Sequence, residues 1–156
     1  MKKITLLIIA LLFINVTFSQ DYSIEELKIV QNLFGAQKKA VYEDNMNLAG
    51  VNADSFWNLY NEYEVERKKI GEKKMELIVS YTSKEGAVSN SQADELLSQA
   101  ENIRSSENNL IMKFSKKMRK ETSSLVAAQF YQIEHYILDG IRFQLLNNIE
   151  FLSEKK

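Results

Sequence analysis

The chain has 156 residues, with 20 Lys and Arg against 21 Asp and Glu, a single His, no Cys and no Pro. This near-neutral charge argues against nucleic-acid binding, which needs a strong basic excess, and the missing Cys excludes disulfide scaffolds and thiolate metal sites. Roughly eight prolines are expected at ordinary usage, so their absence predicts long helices joined by short connections.

The first residues have the layout of a secretory signal peptide. Lys2 and Lys3 make the first segment basic, and the apolar stretch 4–18 that follows is shorter than the roughly 20 residues that a membrane span needs. Thr17 and Ser19 are small residues at positions −3 and −1 of a cleavage site before Gln20. We therefore expect cleavage near Ser19/Gln20, a mature chain of residues 20–156 that is periplasmic or secreted, and no stable membrane span.

Apolar residues then recur at three- and four-residue spacing, which predicts amphipathic helices. Gly50 marks the end of the first helix. Asn52 or Asp54 is expected to cap the second, Ser91 the third and the segment Thr122–Ser124 the fourth. The expected helices cover about 24–49, 54–82, 91–121 and 124–152 of a single domain.

The expected fold class is all-α, with four long amphipathic antiparallel helices, because short connections place consecutive helices side by side in opposite directions. The pattern fits two architectures, an up-and-down four-helix bundle and an elongated hairpin or cradle completed by a homodimer. The apolar pattern of the third helix is interrupted at Glu107.

No catalytic arrangement is evident in the sequence. His135 is the only histidine, and with Asp139 one turn later it offers two metal ligands where closed sites usually need four. We therefore interpret His135 as a polar residue at the surface or at a helix interface. No nucleophile–base motif or Gly-rich phosphate loop is present. We expect no catalytic residues, no metal, no cofactor and no enzymatic activity.

Four aromatic residues lie close together at the start of the second helix. Aromatic side chains at helical spacing usually belong to the core. Phe56 and Trp57 are about 100° apart around the helix, however, so part of this broad sector is a candidate groove for a partner. Nearby basic residues either complement a helix dipole or rim that groove. The candidate partner-binding surface comprises Phe56, Trp57, Tyr60, Tyr63, Arg67, Lys68, Lys116, Lys117, Arg119 and Lys120.

Three segments together resemble a protein family. Residues 56–67 resemble the FWxxYxxYxxER motif of a family of small exported helical proteins of the Bacteroidota type, and residues 113–117 and 127–134 resemble its later KFxK and AARFxQxE motifs. More distantly, the layout resembles the Spy and CpxP group of periplasmic stress proteins, which are cradle-shaped, dimeric, ATP-independent chaperones and sensor inhibitors. Their LTxxQ signature is matched only loosely, near Phe130 and Gln132.

These resemblances imply a non-enzymatic periplasmic binding protein with a chaperone-like or envelope-stress role, whose partner is an unfolded protein client. The alternative is a structural or regulatory protein that binds one specific envelope sensor. The chaperone hypothesis requires exposed apolar surface, whereas the alternative predicts a compact monomer whose apolar stripes are all internal.

Overall fold

A computed structural model describes residues 24–82, 87–148 and 152–154 of the chain. Of these residues 88 % are helical, in four helices, which confirms the all-α fold class. The expected signal peptide lies outside the described residues.

The helices are α1 (Ile24–Asn45), α2 (Ala53–Thr82), α3 (Asn90–Glu121) and α4 (Ser124–Asn148). Helix α1 ends four residues earlier than predicted. There the Asn45 side chain donates to the Val41 carbonyl at 2.7 Å, and the chain turns at Gly50, whose φ of 78° is a conformation that glycine adopts readily. Helix α4 is described to Asn148, and Leu152 lies outside it.

Side chains cap three of the helix starts. Asn52 accepts the Ser55 amide at 3.1 Å, and Ser123 accepts the Val126 amide at 3.2 Å, as predicted for α2 and α4. The prediction for α3 was wrong. Ser89 is its N-cap and forms a capping box with Gln92, so α3 begins before Ser91. The sequence offers two serines with a suitable partner three residues later, and the chain uses the first.

Two very short strands that the sequence did not predict join the connection before α3 to the segment after α4. Ala87–Val88, just before α3, pairs in parallel with Ser153–Glu154, beyond α4. Two residues are too few to show an alternating pattern. The Val88 side chain in the first of these strands is buried.

The core lies where α1 and α3 end and where α2 and α4 begin. Helices α2 and α3 run beside each other over the longest stretch, followed by α3 and α4, whereas α1 approaches α2 only briefly. All four helices contribute to this core, so the described residues form a helical bundle. Its buried members are Tyr42, Phe56, Tyr60, Tyr63, Leu110, Ile111, Phe114, Met118, Val126, Ala127, Phe130 and Leu138.

Ion pairs show that α2 and α3 are antiparallel. Lys117 contacts Glu62 at 2.9 Å and Lys113 contacts Glu66 at 2.7 Å. Residue numbers therefore rise along α2 in the direction in which they fall along α3. An ion pair between the same two helices also explains why the apolar pattern of α3 is interrupted at Glu107. Glu107 is buried at the helix interface, where its carboxylate binds Lys74 of α2 at 2.9 Å.

Candidate functional site

Four charged side chains lie together in the interior, and we call them the charged cluster: Lys38 of α1, Glu64 and Arg67 of α2, and Glu134 of α4. The Nζ of Lys38 lies 2.6 Å from Oε1 of Glu64 and 2.6 Å from Oε1 of Glu134. The Nε of Arg67 donates to Glu64 at 2.9 Å. With two positive and two negative groups the cluster is neutral, the condition under which charges are tolerated in a protein interior.

Two tyrosines complete the surroundings of the Glu134 carboxylate. The Tyr42 hydroxyl donates to Oε1 at 2.5 Å, and the Tyr63 hydroxyl donates to Oε2 at 2.6 Å. Because Lys38 also contacts Oε1, both carboxylate oxygens have partners. These charge-assisted hydrogen bonds join α1, α2 and α4 at one buried point.

Three aromatic rings surround the Lys38 ammonium, and we call them the tyrosine cage: Tyr42, Tyr60 and Tyr63. The Lys38 Nζ lies 4.6 Å from the ring centroid of Tyr63, 5.8 Å from that of Tyr60 and 6.0 Å from that of Tyr42. These distances are within the range of cation–π attraction. The buried Tyr60 hydroxyl has no hydrogen-bond partner among the described residues, so Tyr60 contributes its ring alone.

The environment keeps the three tyrosines neutral. Burial raises the pKa of Tyr42 and Tyr63 well above the ordinary value, and the negative charge of Glu134 raises it further. Burial and then Glu64 raise the pKa of Tyr60. The hydroxyls of Tyr42 and Tyr63 therefore keep the protons that they donate to Glu134.

The same environment keeps Glu64 and Arg67 charged. Burial works to raise the pKa of Glu64, but Lys38 and the hydrogen-bonded Arg67 outweigh it and hold that pKa below its usual value. Burial works to lower the pKa of Arg67, but its hydrogen bond and attraction to Glu64 outweigh it and raise that pKa. The arrangement thus binds an ammonium group, and in this chain the ammonium belongs to Lys38.

The two residues considered for metal binding each have another neighbour. The ring of His135 packs on Tyr131 with centroids 4.3 Å apart, and Asp139 binds Arg142 at 3.0 Å. Among the described residues no group of three or more His, Asp or Glu is placed to hold a metal ion.

Helix α1 covers most of the aromatic part of the predicted partner-binding surface. Phe56, Tyr60 and Tyr63 are buried in the core, which is one of the two alternatives that the sequence left open. The Tyr42 ring of α1 packs on Tyr60 and Phe56, with centroids 4.8 and 6.0 Å apart, and phenylalanine rings of α3 and α4 pack on Tyr63, with centroids 5.5 and 5.1 Å apart. Trp57 stays partly exposed, with the Nζ of Lys39 lying 5.4 Å from its ring centroid.

The predicted basic residues do not form one continuous rim. The Arg67 guanidinium is largely buried against Glu64, and Lys68 is partly buried. Lys117 is paired with Glu62. The others are exposed residues in the last turns of α3: Lys116, Arg119 and Lys120.

Lys38, Tyr42 and Glu134 are not among the site residues predicted from the sequence. The spacing of these residues in the sequence nevertheless indicated a buried ion pair. Lys38 stands four residues from Phe34 and from Tyr42, and Glu134 stands four residues from Phe130. Opposite charges within two apolar stripes indicate a buried pair, since charged residues are rarely buried without a partner.

Comparison of the chain with protein-family models, curated proteins and solved structures gives no match. The resemblances seen in the sequence therefore stay predictions. Within the described part of the chain, no helix combines the length and the apolar character needed to cross a membrane.

Proposed function

We propose that the chain is an exported, non-enzymatic binding protein that holds apolar segments of unfolded envelope proteins, in the manner of an ATP-independent periplasmic chaperone. The observation that carries this proposal is a line of exposed apolar side chains on α4. Leu125, Tyr136 and Phe143 are 64 %, 52 % and 64 % exposed. Their spacings of eleven and seven residues place them on one face of the helix.

This face, which we call the α4 stripe, also carries little charge. Within residues 124–143, Glu134 is buried, Arg142 is partly buried and Asp139 is the exposed charged residue. A helix face that serves only as solvated surface ordinarily carries many charged residues. An apolar line with few charges favours contact with an apolar segment of another chain.

The charged cluster supports the stripe from the opposite side of α4. Glu134 fixes the rotation of the helix by its bonds to Lys38, Tyr42 and Tyr63. A helix held in one rotation presents the same outer face at all times. The charged cluster thus acts as a rigid scaffold for the exposed α4 stripe. Binding at the stripe needs no nucleotide or catalytic group.

The test is suppression of aggregation. Residues 20–156 are mixed in near-equal amounts with several chemically denatured clients, and light scattering is followed after dilution. We expect the chain to suppress scattering and the double variant Leu125→Glu/Phe143→Glu to lose this effect. Val65→Glu is the matched control, because Val65 is 60 % exposed but lies on α2. Absence of suppression with every client, or equal suppression by the stripe variant, would overturn the proposal.

A regulatory protein with one specific partner is the second candidate. From the sequence we expected such a protein to keep its apolar stripes internal, and the exposed α4 stripe counts against that form of it, but the narrowness of the stripe favours a single partner. A single line of side chains matches one amphipathic helix of a partner better than a heterogeneous client. A pull-down from envelope extract distinguishes the two. One protein retained by the wild-type chain and lost with Leu125→Glu/Phe143→Glu, together with no suppression of aggregation, selects the regulatory function.

A further inference from the structure

The outer side of the α2–α3 pair carries exposed lysines from both helices. Lys69 of α2 and Lys113 of α3 line the same open groove between the two helices. Lys116 and Lys120 follow Lys113 by three and seven residues, a spacing that keeps all three on one side of α3. All four side chains are exposed, and we call them the lysine face.

Acidic side chains neutralise the lysine face only in part. Lys113 is paired with Glu66 at 2.7 Å, and Lys120 approaches the neighbouring Glu121 at 3.7 Å. The ion pairs between described residues on α2 and α3 include neither Lys69 nor Lys116. The face therefore keeps a positive excess on a chain whose formal net charge is −1, and a local excess of this kind attracts an anionic partner.

Two exposed apolar side chains stand among these lysines. Val65, which is 60 % exposed, precedes Lys69 by four residues, and Met112, which is 44 % exposed, precedes Lys116 by four residues. Residues four apart lie on the same side of a helix, one turn from each other. The pair Glu66–Lys113 joins the residues next to Val65 and Met112, so both apolar side chains lie at the same level of the bundle, beside the lysine face.

The combination of lysines with apolar side chains distinguishes between anionic partners. A polyanionic polysaccharide offers negative groups to the lysines but no apolar layer to Val65 and Met112. A bilayer that contains anionic lipids offers both, because its negative head groups attract basic residues and its acyl boundary accepts apolar side chains just below them. Lysine suits this depth as well, since its apolar stem can lie along apolar surface while its charge stays in water.

We propose that the lysine face, together with Val65 and Met112, docks the chain on the anionic lipid head groups of a membrane surface. The lysines supply the attraction to the head groups, and the two apolar side chains enter the boundary between head groups and acyl chains. The inference goes beyond the function proposed above and does not depend on it, because the α4 stripe lies on a different helix.

The first test is co-sedimentation of residues 20–156 with lipid vesicles. Vesicles of phosphatidylcholine alone are compared with vesicles of equal parts phosphatidylcholine and phosphatidylglycerol. We expect binding to the anionic vesicles, weaker binding as salt is added because exposed charges are screened, and little binding to the neutral vesicles. Lys69→Gln/Lys116→Gln should lower the affinity for the anionic vesicles by at least about tenfold, since each lysine near an anionic surface contributes to the attraction.

The matched control is Lys39→Gln/Arg104→Gln, which removes the same number of positive charges from other exposed positions. Lys39 is on α1, and Arg104 lies about 120° around α3 from Lys116. The control should bind the anionic vesicles as the wild type does, and circular dichroism verifies that both variants stay helical. Equal losses with the two double variants, or equal binding of the wild type to neutral and anionic vesicles, would overturn the proposal.

A second measurement tests the apolar contact separately from the charge. Trp57 is the single tryptophan of the chain, so Trp57→Phe/Val65→Trp moves the fluorescent side chain to the proposed docking surface. Its emission should shift to shorter wavelength when anionic vesicles are added and should stay unchanged with polyphosphate, which has charge but no apolar layer. Vesicle binding without this shift, or the same shift with polyphosphate, would overturn a lipid surface as the partner.

Discussion

Lys38 of α1 and Glu134 of α4 form an ion pair with an Nζ–Oε1 distance of 2.6 Å, and each side chain is only 1 % exposed. Burying two charges costs several kcal/mol per ion, which the attraction between them offsets only when every remaining lone pair and proton has a partner. Here Tyr42 and Tyr63 provide those partners for Glu134. With these partners in place the attraction offsets the burial cost, and the pair restricts which faces of α1 and α4 can meet.

The first prediction concerns Lys38→Met. The substitution preserves the volume of the side chain but leaves Glu64 and Glu134 beside Arg67 alone, so a net negative charge is buried. We expect the free energy of unfolding to fall by about 3–5 kcal/mol, the usual cost of breaking a buried pair on one side. Urea denaturation followed by helical circular dichroism measures it.

The double variant Lys38→Met/Glu134→Gln serves as the control for charge balance. It restores a neutral cluster, so it should lose less stability than the sum of the two single variants, with a coupling of at least about 1 kcal/mol. Additive losses would show that the two residues act independently and would contradict the ion pair.

The second prediction compares three tyrosines in one cage. Tyr42→Phe and Tyr63→Phe each remove a hydrogen bond to a charged carboxylate, and each should cost about 1.5–3 kcal/mol of unfolding free energy. Tyr60→Phe removes a buried hydroxyl that has no partner among the described residues. It should be neutral or stabilising, since burying an unpaired hydroxyl is unfavourable. If Tyr60→Phe and Tyr63→Phe lowered the free energy of unfolding equally, the hydrogen-bond assignments would be contradicted.

The helices could be predicted from the sequence because their apolar spacing and the missing prolines are local signals. The position of Glu134 beside Lys38 could not, because pairing charges on α1 and α4 requires the order and rotation of the helices. The three- and four-residue spacing of Phe56, Tyr60 and Tyr63 favoured the core but left a groove open as an alternative. The packing of Tyr42 on Phe56 and Tyr60, and of rings from α3 and α4 on Tyr63, places them in the core, and nothing near them in the sequence encodes these contacts.

The third prediction is alkaline unfolding. The folded state holds the pKa of Tyr42, Tyr60 and Tyr63 above its ordinary value of 10.0. Their contribution to stability is therefore fully present below pH 10 and is lost as the pH rises toward the folded values, because the unfolded chain releases these protons first. Phenolate absorbance from these residues should appear together with the loss of helical circular dichroism. Phenolate formation by all three within an intact helical protein would contradict their burial.

The fourth prediction concerns acid. The folded pKa of Glu64 is held below its ordinary value of 4.5, so its contribution to stability is present above pH 4.5 and is lost as the pH falls through the folded value. Urea denaturation at decreasing pH should show this loss. Glu64→Gln should be less stable than the wild type at neutral pH, with a shallower decline below pH 4.5. An unchanged slope would mean that other carboxylates account for the acid sensitivity.

The fifth prediction separates Glu107 from the charged cluster. Glu107 is also buried and also binds two cations, Lys74 at 2.9 Å and Arg142 at 3.2 Å. Those side chains, however, are 20 % and 25 % exposed, so each can turn its charge to water once the carboxylate is gone. Glu107→Leu should therefore leave the free energy of unfolding within about 1 kcal/mol of the wild type, because the lost ion pairs are offset by an apolar side chain in the stripe of α3.

The free energies of unfolding of Glu107→Leu and Lys38→Met are compared by urea denaturation under identical conditions. Both substitutions place an apolar residue where a buried charge stood, and they differ in whether the former partners reach solvent. Glu64 and Glu134 are enclosed, with 13 % and 1 % side-chain exposure, and a carboxylate held in the core keeps its desolvation cost when its ammonium is removed. If Glu107→Leu lowers the free energy of unfolding as much as Lys38→Met does, Lys74 and Arg142 stay trapped at the helix interface. Access of the former partners to water would then not distinguish the two sites.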